Sequence, residues 1–409
     1  MNRLLRNLVC RRLTGLDHGR LVLSDAAGRQ EFGRPADDSL AAQVEVHDAR
    51  FYRNLAFGGS LGAAEAFIRG YWTCDNLVDL VRIFCRNAAV SAGLESGSSR
   101  LLSPVARLGH WLRRNTTAGS RRNIAAHYDL GNEFFALFLD ETMAYSCAVF
   151  PRPDSTLHEA SLAKFDRICR KLDLKPDDHL LEIGTGWGGL ALHAARSFGC
   201  RVTTTTISQK QYDYTRRLVA DAGLGDRVTV LRKDYRDLTG TYDKLVSIEM
   251  IEAVGHQFFD TYFRACSQRL KPDGLMLLQA ITIPDQRYEA YRRGVDFIQR
   301  YIFPGGCLPS VGAICDSVGR VTDMQLVHFE DLTPHYAETL AQWRERFFAN
   351  LDHVRALGFS DEFIRTWEYY FCYCEGGFRE RAIGDVHMLF AKPVCRREPI
   401  LPSLQPDQA

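Results

Sequence analysis

Apolar positions recur at two spacings along this chain, and the change of spacing marks out its parts. Alternation around Leu21 to Leu23, turn chemistry from Asp25 to Gly28 and a second extended run over Ala42 to Val46 predict short strands. After Gly58-Gly59-Ser60 the spacing turns helical, carrying Ala63, Ala64, Phe67 and Ile68 toward Tyr71-Trp72. Residues 1–90 therefore read as a small N-terminal α+β domain in which no catalytic constellation shows. An aromatic-rich helix is predicted over Glu133 to Leu139. From Ser161 onward, helices alternate with strands. The expected helices cover Leu162 to Leu172, Leu190 to Phe198, Lys210 to Ala222 and Phe258 to Leu270. The expected strands cover His179 to Ile183, Arg201 to Ile207, Arg227 to Arg232, Lys244 to Glu249 and Leu275 to Ile281. Such alternation predicts an α/β fold with a doubly wound parallel sheet. Helices near Ala337 to Leu351 and Ser360 to Arg379, then a strand-like His387 to Ala391, complete the sheet and supply a helical lid.

Charge and composition narrow the function. Lys+Arg 51 against Asp+Glu 50 gives a net charge of +1, which excludes a whole-protein basic footprint for nucleic acid. The 12 cysteines form no CxxC pair, so neither structural zinc nor any other metal site is expected, and unpatterned thiols suit a reducing, cytoplasmic setting. The basic, amphipathic N-terminus lacks the long apolar run of a signal peptide, and no stretch approaches the roughly 20 apolar residues that span a bilayer. A membrane would be met from its surface. One segment bears on that. No acidic residue stands between Glu95 and Asp129, while Arg100, Arg107, Arg113, Arg114, Arg121 and Arg122 interleave with Leu101, Val105, Leu108, Trp111 and Leu112. Residues 91–122 fit a basic amphipathic segment lying in a headgroup layer, and fit better a solvated linker helix with its apolar side packed on a domain. Residues 123–395 would then form the catalytic domain and 396–409 a tail.

The chemistry centres on Leu180-Leu181-Glu182-Ile183-Gly184-Thr185-Gly186-Trp187-Gly188-Gly189, an apolar strand leading through glycines into a helix. Glycine lets the backbone approach a ligand with no Cβ between them. The literal GxGxxG also fits a dinucleotide-dependent oxidoreductase. Two details favour S-adenosylmethionine. Glu182 places a carboxylate where a pyrophosphate would be repelled and an amino group welcomed. The second strand ends Thr203-Thr204-Thr205-Thr206-Ile207-Ser208-Gln209, without the acidic residue a dinucleotide's ribose requires.

Further motifs identify the chain as resembling the cyclopropane-fatty-acyl-phospholipid synthase family, which includes the mycolic acid cyclopropane synthases. They are His127-Tyr128-Asp129-Leu130-Gly131-Asn132, Tyr145-Ser146-Cys147-Ala148, Thr206 to Gln211, Ser247 to Gly255, Phe303-Pro304-Gly305-Gly306-Cys307-Leu308-Pro309 and His335-Tyr336. The resemblance covers roughly Ala125 to Pro393 and implies a Rossmann-like class I methyltransferase fold. It also implies methylene transfer from S-adenosylmethionine to the cis double bond of an unsaturated phospholipid acyl chain, at a peripheral membrane surface. The implied cofactor contacts are Tyr145, Ser146, Glu182, Gly184, Gly186, Trp187, Gly188, Thr206, Gln211 and Tyr235. A carbocation forms in that reaction, and the resemblance implies a bound bicarbonate as its proton acceptor. The backbones of Cys147 and Ile281 and the side chains of Glu252 and Tyr336 would hold it. Gln279 stands where many members carry histidine, and Glu249 where many carry glycine. Glu249 is either a second carboxylate in the site or a strand-end residue facing solvent.

Water would trap the cation, so the acceptor tunnel should be apolar and aromatic. Phe134, Phe135, Phe138, Tyr291, Phe297, Tyr301 and Phe303 are candidates for its wall, and each also suits plain core packing. The resemblance implies a homodimer, with the N-terminal domain serving dimerisation or lipid binding. Three other readings stay open at this stage. One is a lipid methyltransferase making a methyl- or methylene-branched chain. The others are the oxidoreductase, and a lipid-binding protein that lost catalysis through Gln279 and Glu249.

Overall fold

The protein is described by a computed structural model covering residues 2–34, 40–95 and 130–400. The arginine-rich segment from 96, His127-Tyr128-Asp129 and the tail from 401 lie outside the described residues. The chain forms two compact units. The first comprises Met1–Leu139, Ile283–Leu308 and Thr333–Gly384, and the second Asp140–Thr282, Pro309–Leu332 and Asp385–Ala409.

In the first unit, β1 (Gly19–Asp25) and β2 (Gly28–Arg34) form the hairpin that the turn at Asp25 predicts, closing with Asp25 opposite Gly28. β3 (Ala41–Val46) lies parallel to β1, and β4 (Trp72–Cys74) completes the sheet order β2-β1-β3-β4. Gly59 interrupts the helix Arg50–Ile68 with φ 58° and ψ −142°, a conformation only glycine adopts readily. The helix Asp361–Arg379 starts at Ser360, whose Oγ accepts from the Phe363 N–H at 3.2 Å. It packs on the helices Arg50–Ile68 and Leu77–Arg86. Val81 Cγ1 stands 2.7 Å from where a Cβ on Gly376 would be, so glycine there permits the close approach. Arg82 and Arg86 both pair with Glu380, at 2.8 and 2.7 Å. That packing explains why segments late in the sequence belong with the N-terminal strands, where a linear division of the chain is expected from sequence.

Phe134, Phe135 and Phe138 are fully buried in the first unit and meet Trp367 edge-on or tilted, Phe134 at 4.7 Å between centroids. Phe347, Phe359, Phe363 and Phe371 complete this cluster. Arg346 and Asn350 donate to the carbonyls of Leu137, Phe138 and Leu139, satisfying the backbone that carries the rings. These three phenylalanines are core residues. Phe297 is likewise buried against Tyr369, while Tyr301 is exposed and donates to Glu65 at 2.8 Å.

The second unit holds β5 (His179–Ile183), β6 (Arg201–Thr205), β7 (Val228–Leu231), β8 (Tyr242–Ile248), β9 (Leu270–Thr282), β10 (Gln325–Asp331) and β11 (Gly384–Ala391). Their order is β10-β11-β9-β8-β5-β6-β7. β7, β6, β5, β8 and β9 run parallel, and β10 pairs antiparallel with β11. Helices Leu157–Lys171 and Gln209–Asp221 contribute to the layers around the sheet, the first opened by a Thr156–Glu159 capping box. The predicted helix after the glycine turn is composite, with an α segment Gly189–His193 followed by a π segment Ala194–Phe198.

Replacing Phe134 with alanine removes a ring that six neighbours surround. It should lower the stability of the first unit by about 3–5 kcal/mol, read as an earlier denaturant midpoint for the fluorescence of its tryptophans.

Candidate active site

The order of strands reverses at β5, which lies between β6 and β8, and the carboxyl ends of such strands are where ligands bind in doubly wound sheets. The glycine turn leaves β5 there. Gly186 has φ 53° and nothing within 4 Å of where its Cβ would stand, so the turn presents an open cradle of backbone. Gly188 is needed for the opposite reason, since a Cβ would meet Thr215 Cγ2 at 2.6 Å.

Glu182 serves this turn from below. It is 3% exposed, and its Oε2 accepts from Thr204 Oγ1 at 2.5 Å, with Thr185 Oγ1 a further 2.6 Å along. Burial pushes its carboxyl up to about 8, with Thr204 and Lys164 opposing. Its first task is therefore to tie β5 to β6 at the start of the turn. Trp187 is buried within the turn. At the end of β6, Thr206 Oγ1 donates to Gln211 Oε1 at 2.8 Å, so the hydroxyl and amide expected in place of a ribose carboxylate stand together. Tyr235 is half-buried, edge-on to Tyr262 at 5.4 Å. Ser146 is buried and takes the Lys164 ammonium at 2.5 Å. An open glycine cradle flanked by hydroxyls and an amide fits S-adenosylmethionine.

A second cluster lies where β8 ends, next to β5. Glu249, with φ 45°, is the first residue past β8. Left-handed backbone is strained for a glutamate, and its own N–H, donating to the Gln279 carbonyl at 2.9 Å, helps to hold it together with hydrogen bonds to its side chain. Its Oε1 accepts from the Cys147 backbone N–H at 2.7 Å and from Gln279 Nε2 at 2.8 Å. It is thus a second carboxylate in the site, not a solvent-facing strand end. Gln279, fully buried on β9, also donates to Asp385 Oδ2 at 3.0 Å. Gln279 Oε1 can only accept, so His387 Nε2 at 3.1 Å is the donor. His387 Nδ1 then accepts from Lys171 Nζ at 3.0 Å, and Lys171 in turn pairs with Glu330, as does Arg167. Burial, with nearby Lys171 and Lys164, pushes the His387 imidazole well below its ordinary range, in keeping with this neutral tautomer. Glu252 Oε1 accepts from the Ile281 N–H at 2.6 Å, while its sealed Oε2 has no hydrogen-bond partner among the described residues. Burial first, then the charge of Glu249, pushes Glu252 up to about 8.

Bicarbonate does not fit this arrangement. The Cys147 and Ile281 amides expected to hold it already serve Glu249 and Glu252, and Gln279 serves Glu249 and Asp385. A further anion would find these donors engaged and acidic side chains beside it. Tyr336, assigned with them by resemblance, belongs to the first unit, where it is buried and stacked on Phe378 at 4.3 Å. Asp385, His387, Lys164 and Lys171 went unrecognised in the sequence. The available signal is spacing: Asp385 and His387 are polar at i and i+2 in an otherwise apolar strand, and the two lysines at i and i+7 share one helix face.

The sheet order, the switch-point glycine turn and the strand end without a ribose carboxylate define a class I S-adenosylmethionine-dependent methyltransferase. Residues 115–388 match the family of mycolic acid cyclopropane synthetases, and the chain belongs to that family. It is 42% identical over 380 residues to the tuberculostearic acid methyltransferase UfaA1 of Mycobacterium tuberculosis, covering 88% of this chain and 84% of that one. Against the cyclopropane-fatty-acyl-phospholipid synthase of Escherichia coli K12 it is 36% identical over 365 residues, 88% of this chain and 91% of the relative. The crystal structure of the mycolic acid cyclopropane synthase CmaA1 with SAH and CTAB superposes with a TM-score of 0.61 at 34% identity, covering 66% of this chain and 98% of that chain. The protein is a methyltransferase, and the oxidoreductase reading falls.

Glu182 and Glu252 share a pH signature. Below their ordinary value of 4.5 both are protonated folded and unfolded; between there and about 8 the folded state keeps protons that the unfolded chain releases. Each therefore lowers stability as pH rises through that window, by about 1.4 kcal/mol per pH unit for a single proton. Glu182→Gln should flatten the fall in thermal midpoint between pH 5 and pH 8.

Proposed function

We propose that this enzyme transfers a methylene unit from S-adenosylmethionine to the cis double bond of an unsaturated phospholipid acyl chain, forming a cyclopropane ring. The observation carrying the reading is the pair of carboxylates, Glu249 and Glu252, that the loop after β8 brings beside the cofactor turn. An alkene carries no proton for a base to remove before methyl transfer, so an acid–base group is needed only after the new carbon is attached. Extent of similarity supports the phospholipid. The E. coli relative aligns with 88% of the chain, whereas cyclopropane mycolic acid synthase 1 of M. tuberculosis aligns with 63% while using 92% of its own length.

When bound, S-adenosylmethionine supplies a methyl group on positively charged sulfur. The alkene's electron pair forms the new carbon–carbon bond, the sulfur keeps the pair of the broken bond, and the adjacent chain carbon becomes cationic. Loss of a proton from the transferred carbon leaves its electron pair to close the ring. The chain's own contribution is to hold the alkene, exclude water and keep a proton acceptor on the side of the new carbon.

A methyl- or methylene-branched product is the second reading, favoured by the 42% identity to a tuberculostearic acid methyltransferase. A hydride shift before deprotonation leads to the methylene branch, and the proton then lost comes from the same transferred carbon; a saturated methyl branch needs a further hydride from a separate reductase. Both outcomes use a base in one place. The described residues contain no helix long and apolar enough to cross a membrane. We propose that the enzyme meets its lipid at the membrane surface as a homodimer, the N-terminal domain serving dimerisation or lipid binding.

Incubation with methyl-labelled S-adenosylmethionine and unsaturated phospholipid vesicles should place label in the acyl chains, with high-field cyclopropyl signals in the proton NMR of the product. Vinylidene or methyl-doublet signals instead select the branched product. Glu252→Ala, which leaves the Ile281 N–H without its acceptor, should bind S-adenosylhomocysteine with unchanged affinity and lower product formation by about 10-fold or more.

A further inference from the structure

We propose that the Glu249 carboxylate is itself the proton acceptor of this enzyme, a built-in base that makes turnover independent of bicarbonate. The inference rests on the acyl-chain reaction just described and adds the identity of the group that takes its proton.

The first argument is position. Glu249 is the first residue past β8, β8 is the neighbour of β5, and β5 leads into the cofactor cradle. Its hydrogen-bond donor Cys147 directly follows Tyr145 and Ser146, the two residues assigned to the cofactor from the N-terminal side of the sheet. The carboxylate is thereby anchored from the cofactor side of the site. It is also only half-buried, whereas Asp385 behind it is fully buried.

The second argument is donor supply. Cys147 N–H and Gln279 Nε2 converge on one oxygen of Glu249, at 2.7 and 2.8 Å. Two such donors make an anion site, and a side chain of the protein fills it. The glutamate accepts left-handed backbone at φ 45° in doing so. A merely structural residue at this position would be glycine, which adopts that φ without strain.

The third argument is charge. The groups facing Glu249 are Glu252 from the turn after β8, Asp385 from β11, Cys147 from its loop and Lys164 from the helix Leu157–Lys171. Burial raises both neighbouring acids, and the charge of Glu249 raises them further. In the step itself, the C–H bond of the transferred carbon breaks, its electron pair closes the ring and the proton passes to the Glu249 carboxylate. Gln279 is a positioning residue, holding Glu249 on one side and oriented by His387 on the other.

Two variants test this. Glu249→Gln keeps an oxygen for the Cys147 and Gln279 donors but is not a base. Glu249→Gly relieves the backbone and vacates the anion site. Label transfer to phospholipid is measured in carbon dioxide-depleted buffer, with and without added bicarbonate, alongside S-adenosylhomocysteine affinity as a check on folding. Wild type should turn over equally in both buffers. Glu249→Gln should fall by about 10²–10⁴-fold in both, and Glu249→Gly should fall similarly but regain activity as bicarbonate is titrated in. ¹³C-bicarbonate should show NMR line broadening with Glu249→Gly and none with wild type. A wild-type activity that collapses on bicarbonate removal, or near-wild-type turnover by Glu249→Gln, overturns the assignment while leaving the functional reading in place. Absence of label in any lipid overturns the functional reading and the base with it.

Discussion

A carboxylate taken out of water loses several kcal/mol of hydration, and the second unit gathers Glu249, Glu252 and Asp385 at one end of its sheet. Much of its interior polarity is arranged around that debt. Backbone amides of Cys147 and Ile281, the amide of Gln279 and the ammonium of Lys164 are all turned toward it. Behind Gln279 the chain of contacts continues through His387 and Lys171 to Glu330 and Arg167, where solvent is reached. Removing any interior member would leave a buried polar atom without a partner, which costs more than the bond itself contributes.

The first unit solves a different problem with different means. Its interior is rings in edge contact, and its few buried charges, such as Glu375 between Arg344 and Arg379, are compensated by arginine forks. Packing of this kind tolerates little change in shape, so the segments that supply the rings are fixed to one another. The first unit is thus an aromatic assembly, and the second a sheet whose polar end carries the candidate site.

Legibility from sequence followed the strength of local patterns. The strand His179–Ile183 and its glycine turn were readable because an apolar run and the demands of left-handed backbone are both local. β10 was not, because it is an edge strand with Leu326, Val327 and Phe329 exposed, so its residues carry no inside-outside alternation. The helices Val311–Val321 and Asp285–Tyr291 also escaped, the second for lack of any buried residue. Among the candidate positions, Glu252, Cys147 and Gln279 are reached by resemblance. The orientation of Glu249 is not, since nothing local tells whether a glutamate after a strand turns inward; the distant amide of Cys147, 102 positions away, receives it.

β11 has an implication for how the enzyme comes into being. It lies between β9 and β10 in the sheet, yet both neighbours precede it in the chain. During vectorial synthesis those two strands emerge first and must be left apart, or open again, for the later strand to enter. Asp385 and His387 travel on it, so most of the sheet is made before the polar cluster is complete. A nascent chain in that interval has the cradle and the residues around Glu249, and the groups behind Gln279 arrive with the insertion of a strand one place in from the sheet edge.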